Sequence, residues 1–388
     1  MRPSFEIACM VFSAIYAAMG LVAMLRARGL RRFEDGEFPE PAQWPALSVV
    51  VPACDEASTL ESASASLRAQ DYPDLQILLV DDRSRDGTAE LVDRIAASDQ
   101  RVTPLHIAKL PAGWLGKVHA LHVASLQARG QWLLFTDADV HFSPGALRQA
   151  IAMALHENLD HLSLLPRTTT RTLAGDVGVA TFGGLFMLAG RADQVGKPGS
   201  DVAVGVGAFN LVRADSLRAT AGFPWLALEI ADDFGLATLI QQAGGRGAFA
   251  VASQTLAVEW YADLPAMIRG LDKNMFAAAG QFSWPRSLAM IFGFVAMPLG
   301  MFAGLAFGAL VTRVVALLTL IFVVWTCQVN MRKFQMPALP ALFLPFGHLT
   351  MGWILLHSAW KTTRQGGIIW RGTWYPLAEL RAGQRVSL

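Results

Sequence analysis

The stretch LLFTDADVHF, residues 133–142, ends an apolar run in two carboxylates, Asp137 and Asp139, with one alanine between them. Residues i and i+2 of a strand share a face, so both acids are expected to point at one spot where their repulsion calls for a cation. A small number of hard oxygen ligands suits a divalent metal, Mg2+ or Mn2+, with water and substrate phosphates completing the shell. Asp139 is the candidate metal ligand, with Asp137 beside it. The plainer alternative is an acidic turn leading to Ser143-Pro144 and a helix start.

Other chemistry-bearing residues come in clusters. VPACDEAST carries Asp55 and Glu56, and VDDRSRDGT carries Asp81, Asp82 and an Asp86-Gly87-Thr88 turn. Such acids can cap a helix N-terminus, or accept hydrogen bonds from a base and a ribose. LPAGWLGKVHAL sets glycines around an aromatic residue and puts Lys117 at a helix start, an anion site or a solvent-facing lysine after a turn. It lacks the Walker spacing. In LEIADDFGLATLIQQAGG, a helix spanning Glu229, Asp232 and Asp233 would set all three on one face and raise the proton affinity of one of them toward general-base chemistry. Glu229 reads as helix-terminal charge and Asp233 as the candidate base, with Asp232 next to it.

The elements that must position these groups alternate. Strand-like runs at 47–53, 76–82, 102–108, 132–139 and 161–166 are separated by helical patterns at 56–70, 87–98, 117–129 and 144–157. This rhythm predicts an α/β fold with a mostly parallel, doubly wound sheet, whose ligands sit beyond the carboxyl ends of its strands. The acidic motifs fall there.

The 388-residue chain is 53% hydrophobic and only 16% charged, too apolar for an ordinary soluble domain alone. A bilayer-spanning helix takes about 20 apolar residues; segments 7–25, 288–311, 314–330 and 338–360 come close to that. Glu6 before the first, and Arg26, Arg28, Arg31 and Arg32 behind it, predict an uncleaved anchor with a cytoplasmic C-terminal flank. Arg332 and Lys333 after the third segment, and Lys361, Arg364 and Arg371 after the fourth, put both flanks on one side, so 338–360, with Pro340, Pro345 and Gly347, is a candidate re-entrant hairpin. A net charge of +1 and basic residues gathered beside apolar segments give no footprint for nucleic acid. Three cysteines, two of them in apolar spans, suggest neither a disulfide framework nor a metal site.

The expected organisation is an anchor over 1–26, a linker over 27–46, a catalytic domain over 47–261, an interfacial region over 262–287, membrane spans over 288–360 and a tail over 361–388. Segment 262–285 is amphipathic, fit to lie between domain and bilayer or to pack as an ordinary helix.

The ordered series VVVPACDE, VDDRSRDGT, GWLGK, TDAD and ADD resembles the membrane-bound members of glycosyltransferase family 2, over about residues 47–285. The resemblance implies a GT-A fold, Rossmann-like, with N-terminal and C-terminal transmembrane helices. It implies that Pro52, Asp55, Glu56 and Asp82 hold the uridine part of a nucleotide diphosphate sugar, and that Lys117 and Asp137 place that sugar nucleotide. It further implies that Asp139 binds the metal and that Asp233 deprotonates the acceptor. GVGAFNLVRA at 205–214 and IIWRGTWYPL at 368–377 look most like hopanoid-associated and carotenoid glycosyltransferases. Asp55 stands where many members carry Asn, Asp232-Asp233 replaces their Glu-Asp, and the Q-x-x-R-W arginine is missing from QFSWPR. Gly207, Lys273, Trp284, Arg286 and Arg371 are therefore candidates for diphosphate or acceptor contacts.

The expectation is an inverting transfer of a sugar from the nucleotide diphosphate sugar to a lipid acceptor at the cytoplasmic face of the inner membrane. A phosphoryl- or nucleotidyltransferase and a membrane-tethered nucleotide-sugar binding protein are the alternatives.

Overall fold

The structure is a computed structural model that describes residues 3–387. One eight-stranded sheet organises the domain, in the order β3-β2-β1-β4-β7-β6-β8-β5. Its strands are β1 (Leu47–Ala53), β2 (Leu75–Asp82), β3 (Val102–Ile107), β4 (Trp132–Phe135), β5 (His141–Phe142), β6 (His161–Thr169), β7 (Asn210–Arg213) and β8 (Gly247–Glu259). Helices α2 (Leu60–Arg68), α3 (Thr88–Ser98), α4 (Gly116–Gln127), α5 (Ala146–His156), α7 (Ala214–Arg218) and α8 (Asp232–Gln242) connect or flank them.

The alternation of side chains along β1 divides the core. Val49 and Val51 pack with Leu60, Val92 and Ile151 of α2, α3 and α5, whereas Val50 faces Val118, Leu121 and Ile240 of α4 and α8. The expected strands over 47–166 form, but the sheet is mixed rather than mostly parallel. β3, β2, β1 and β4 run parallel, while β7 enters antiparallel to both β4 and β6, and β5 pairs antiparallel with β8. A register shift between Pro166 and Arg167 bends β6 against β8.

Among the described residues five helices are long and apolar enough to cross a membrane: α1 (Pro3–Gly29), α6 (Leu173–Gly190), α11 (Trp284–Phe307), α12 (Leu310–Lys333), and α13 (Leu344–Gln365) with the short 3-10 turn that precedes it. The sequence reading missed α6, whose apolar run is interrupted by Asp176 and four internal glycines, set 288–311 a few residues later than α11, and made 314–330 shorter than α12 at both ends. α9 (Leu264–Asp272) and α10 (Met275–Ala278) precede the α11–α12 hairpin.

α1 and α12 lie parallel: the Ala309 N–H donates to the Glu6 carboxylate at one end (3.1 Å) and Lys333 donates to the Arg28 carbonyl at the other (3.3 Å). α13 runs antiparallel to α11, with Phe346 beside Phe302 and Thr363 beside Trp284. Lys333 and Thr363 thus both stand at the domain end of the bundle. Segment 334–365 enters and leaves at that end, as a short 3-10 descent followed by one uninterrupted helix. Pro345 and Gly347 do not break this helix, because Pro345 occupies its first turn, where no N–H partner is needed.

Beyond α13 the chain forms a hairpin, β9 (Gly367–Trp370) and β10 (Thr373–Pro376), and then α14 (Leu377–Gly383). Ile368, Tyr375 and Leu380 are buried in the same core layer as α4 and α8, so this segment is part of the domain's packing.

Candidate active site

Four loops meet where β1, β2 and β4 end. β4 stops at Phe135, so Asp137 and Asp139 lie on the turn that follows rather than on a strand. The early stop comes from Thr136, whose hydroxyl donates to the Ala208 carbonyl (2.7 Å) and ties the turn to the 205–210 loop.

Lys117, in the first turn of α4, reaches Asp137 Oδ1 at 2.8 Å and Asp232 Oδ2 at 3.5 Å. Burial favours the neutral amine, but the carboxylates of Asp137, Asp232 and Asp233 outweigh it and raise the ammonium's pKa. Gly207 closes against this group. A Cβ there would lie 2.7 Å from Asp137 Oδ2 and 3.3 Å from Lys117 Nζ, so no larger residue fits without moving the ion pair.

Helix α8 begins at Asp232, which corrects the expectation of a helix including Glu229. Glu229 instead accepts from the Ala231 N–H (2.9 Å) and from the Arg385 and Val386 N–H groups (2.6 and 3.0 Å), anchoring the C-terminal segment. Asp233 accepts from the Gly207 N–H at Oδ2 (3.0 Å) and from its neighbour Phe234 N–H at Oδ1 (2.9 Å). Burial raises the pKa of both Asp232 and Asp233, and Lys117 opposes it.

Two positioning residues escaped the sequence reading. The Asn210 amide donates to the Asp233 carbonyl (3.1 Å), which leaves its oxygen to accept from His161 Nε2–H. His161 is buried and held neutral, its pKa pushed down to about 4 by burial. Asn210 lies in GVGAFNLVRA, so that motif was visible; a histidine in a buried strand carries no such signal.

The first two acidic loops are satisfied locally. α2 starts at Leu60, so Asp55 and Glu56 do not cap it as expected. Asp55, with φ +56°, accepts from the Arg85 N–H (2.7 Å). Asp81 accepts from the Ser84 N–H (3.2 Å), and Asp82 takes both Arg83 guanidinium N–H groups (2.7 and 3.0 Å). Asp86 accepts from the Ala57 and Thr88 N–H groups and the Thr88 hydroxyl, the turn its sequence predicts, while the N-cap of α3 is Gly87, with no side-chain cap hydrogen bond. Gly116 passes so close to Asp82 that a Cβ would sit 2.4 Å from Oδ2. Pro52 stands one residue before the end of β1, paired in register with Val80.

Among the remaining candidates, Arg371 forms an ion pair with Glu56, and the Lys273 ammonium lies 4.2 Å above the Trp370 ring. Trp284 donates its indole N–H to Thr363 (3.0 Å) and Arg286 donates to the Ala279 carbonyl (2.9 Å), so both brace the α11 junction.

Among the described residues no three His, Cys, Asp or Glu side chains converge as a metal cage. The residues do fit a metal held mainly by substrate phosphates. Among the described residues Asp139 forms no ion pair, and burial, Asp137 and Glu56 push its pKa up to about 7 against a weak pull from Lys117, a carboxyl that a nearby divalent charge would ionise.

Residues 48–216 match the family model described as Glycosyl transferase family 2. The GalNAc(5)-diNAcBac-PP-undecaprenol beta-1,3-glucosyltransferase of Campylobacter jejuni is 35% identical over 104 residues, 26% of this chain and 32% of that protein. The poly(ribitol-phosphate) beta-N-acetylglucosaminyltransferase TarS of Staphylococcus aureus is 28% identical over 117 residues, 30% of this chain and 20% of that protein. The chain thus spans less than half the length of the curated relatives it matches. The structure of mannosyltransferase PcManGT from Pyrobaculum calidifontis, in complex with GDP-Man and Mn2+, superposes with a TM-score of 0.59 at 21% identity, covering 93% of this chain and 99% of that one. The fold is therefore of the GT-A type, and residues 48–216 of this chain are similar to the glycosyltransferase family 2 domain.

Proposed function

We propose that the chain is a membrane-embedded inverting glycosyltransferase that moves a sugar from a nucleoside diphosphate sugar, a UDP-sugar by its sequence resemblance, to a hydroxyl on a lipid. The observation that carries this reading is the group of three carboxylates, Asp137, Asp232 and Asp233, around Lys117, opposite Gly207, at the carboxyl end of the sheet.

In this mechanism Asp55, Glu56 and Asp82 bound the nucleoside side of the cleft, and Lys117 offsets negative charge on the departing diphosphate. Asp233, oriented by the Gly207 and Phe234 N–H groups, retains lone pairs to accept the acceptor's hydroxyl proton. The acceptor oxygen forms its bond to the sugar's anomeric carbon as the bond to the diphosphate oxygen breaks and its electron pair leaves with the phosphate. Asp232 holds the Lys117 ammonium in place through this step. A divalent cation, Mg2+ or Mn2+, held by Asp139 with Asp137, would add Lewis-acid stabilisation at the diphosphate.

A lipid acceptor is supported by the five apolar helices beside the domain and by the undecaprenol-linked substrate in the name of the Campylobacter relative. A hopanoid or carotenoid is the narrower class that the sequence resemblance implies. Arg28, Arg332, Lys333, Lys361 and Arg364 gather at the domain end of the bundle, which supports a cytoplasmic catalytic face on the inner membrane.

The test is to incubate membranes containing the protein with a panel of labelled UDP- and GDP-sugars, with Mn2+ or with EDTA, and to identify labelled lipids by mass spectrometry. Label in lipid that depends on metal and is lost in Asp233→Asn is the expected result. Label appearing only in phosphate or nucleotide products would overturn it.

A further inference from the structure

The four residues Arg371–Gly372–Thr373–Trp374 and the adjoining Tyr375 touch every loop on the nucleoside side of the cleft. Arg371 pairs with Glu56 after β1, the Thr373 hydroxyl accepts from Arg83 Nη1 after β2 (3.2 Å), and the Tyr375 hydroxyl accepts from the Gly116 N–H at the start of α4 (3.2 Å). Arg371 and Gly372 form the two-residue turn between β9 and β10, with φ of +47° and +73°. An arginine is rarely found in that left-handed region, where glycine or asparagine would serve the turn better. Such an outlier is a reason to look for a function.

A second cation stands beside the first. Lys273 has no carboxylate partner among the described residues; its ammonium rests on the Trp370 ring at the base of the hairpin. Burial, then Arg371 and Lys117, lower its pKa to about 8. Three cations, Lys117, Lys273 and Arg371, therefore border one cleft. Only Lys117 faces the acidic group there directly. The Arg371–Glu56 pair is half-exposed, so exchanging one anion for another costs little.

We propose that the β9–β10 hairpin is a cationic cover for the donor's diphosphate, Arg371 leaving Glu56 to pair with the phosphates and Lys273 supporting it from Trp370. The inference rests on the nucleotide-sugar reading of the site. It assigns to a segment that follows all the apolar helices a contact usually sought inside the sheet domain, and Arg371 is suited to it by its planar, bidentate donor geometry.

Calorimetry on the full chain in detergent or nanodiscs, with UDP, UMP and uridine and with GDP, GMP and guanosine, separates phosphate from nucleoside recognition. Arg371→Ala is expected to weaken diphosphate binding about 10- to 100-fold while changing nucleoside binding less than about 3-fold, the range of one or two charge-assisted hydrogen bonds. Arg371→Lys should recover part of the loss, and Lys273→Met should repeat it in weaker form. Hydrogen exchange of 367–376 in the unmodified protein should slow with the diphosphate and not with the nucleoside, which does not depend on any variant folding. Equal losses for diphosphate and nucleoside, or no slowing of exchange, would overturn the proposal alone. Failure of the unmodified protein to bind any of the six probes would overturn the donor reading, and this one with it.

Discussion

The carboxylates after β1 and β2 and those after β4 and at the start of α8 face the same end of one sheet, yet they are compensated in opposite ways. Asp55, Asp81, Asp82 and Asp86 each find a backbone N–H or an arginine within the two loops after β1 and β2. Asp137, Asp232 and Asp233 share Lys117, and among the described residues Asp139 forms no ion pair, with Lys117 acting on it only weakly. A carboxylate satisfied by its own loop shapes a surface. A group of four with one lysine is incomplete until external positive charge arrives, and that distinguishes a wall of the site from its reactive centre.

The largest test of that contrast is Asp139→Ala. Transfer is expected to fall at least about 1,000-fold, as it should on chelating divalent metal, because both remove charge stabilisation of the leaving diphosphate. Retention of more than a tenth of the activity in labelled-lipid assays would erase the difference between the two acidic groups. Asp233→Asn should lower kcat about 100- to 10,000-fold with donor affinity little changed, the mark of a lost general base.

A smaller effect acts through support. His161 has its folded pKa lowered from 6.5 to about 4, so the unfolded chain binds the proton more readily. Its contribution is therefore complete above about pH 6.5, and stability declines as pH falls toward 4, by about 3 kcal/mol in all. Thermal unfolding across that window should show the slope, and His161→Gln should flatten it. Smallest is Asp86→Ala in the self-satisfied group, expected to cost about 1 kcal/mol of stability through lost turn hydrogen bonds while leaving kcat unchanged. A loss of kcat there would make that acid part of the reactive centre.

Much of this arrangement is legible in the sequence because strong local patterns wrote it. The strand runs from 47 to 166 and their helices follow apolar periodicity, and the acidic motifs fall at their ends. What fails has a physical cause in each case. β4 ends early because Thr136 finds a partner in a loop more than seventy residues away, which no local pattern announces. The sheet turns mixed because β7, only four residues long, inserts between β4 and β6 after the α6 excursion. Glu229 looked like helix charge, but its partners are the backbone N–H groups of Arg385 and Val386. α6 was missed since Asp176 and its glycines dilute the apolar run, although its neighbours α1 and α13 bury part of it. Contacts between residues far apart in sequence decide all four.

The return of the hairpin to the sheet edge sets an order of assembly. Residues 367–376 are synthesised after all five apolar helices, yet they brace Glu56, Arg83 and Gly116. The cleft therefore stays unfinished until α11, α12 and α13 have docked and carried the hairpin back. A domain without the bundle would lack part of its own wall, so docking of these helices precedes, and licenses, a complete site.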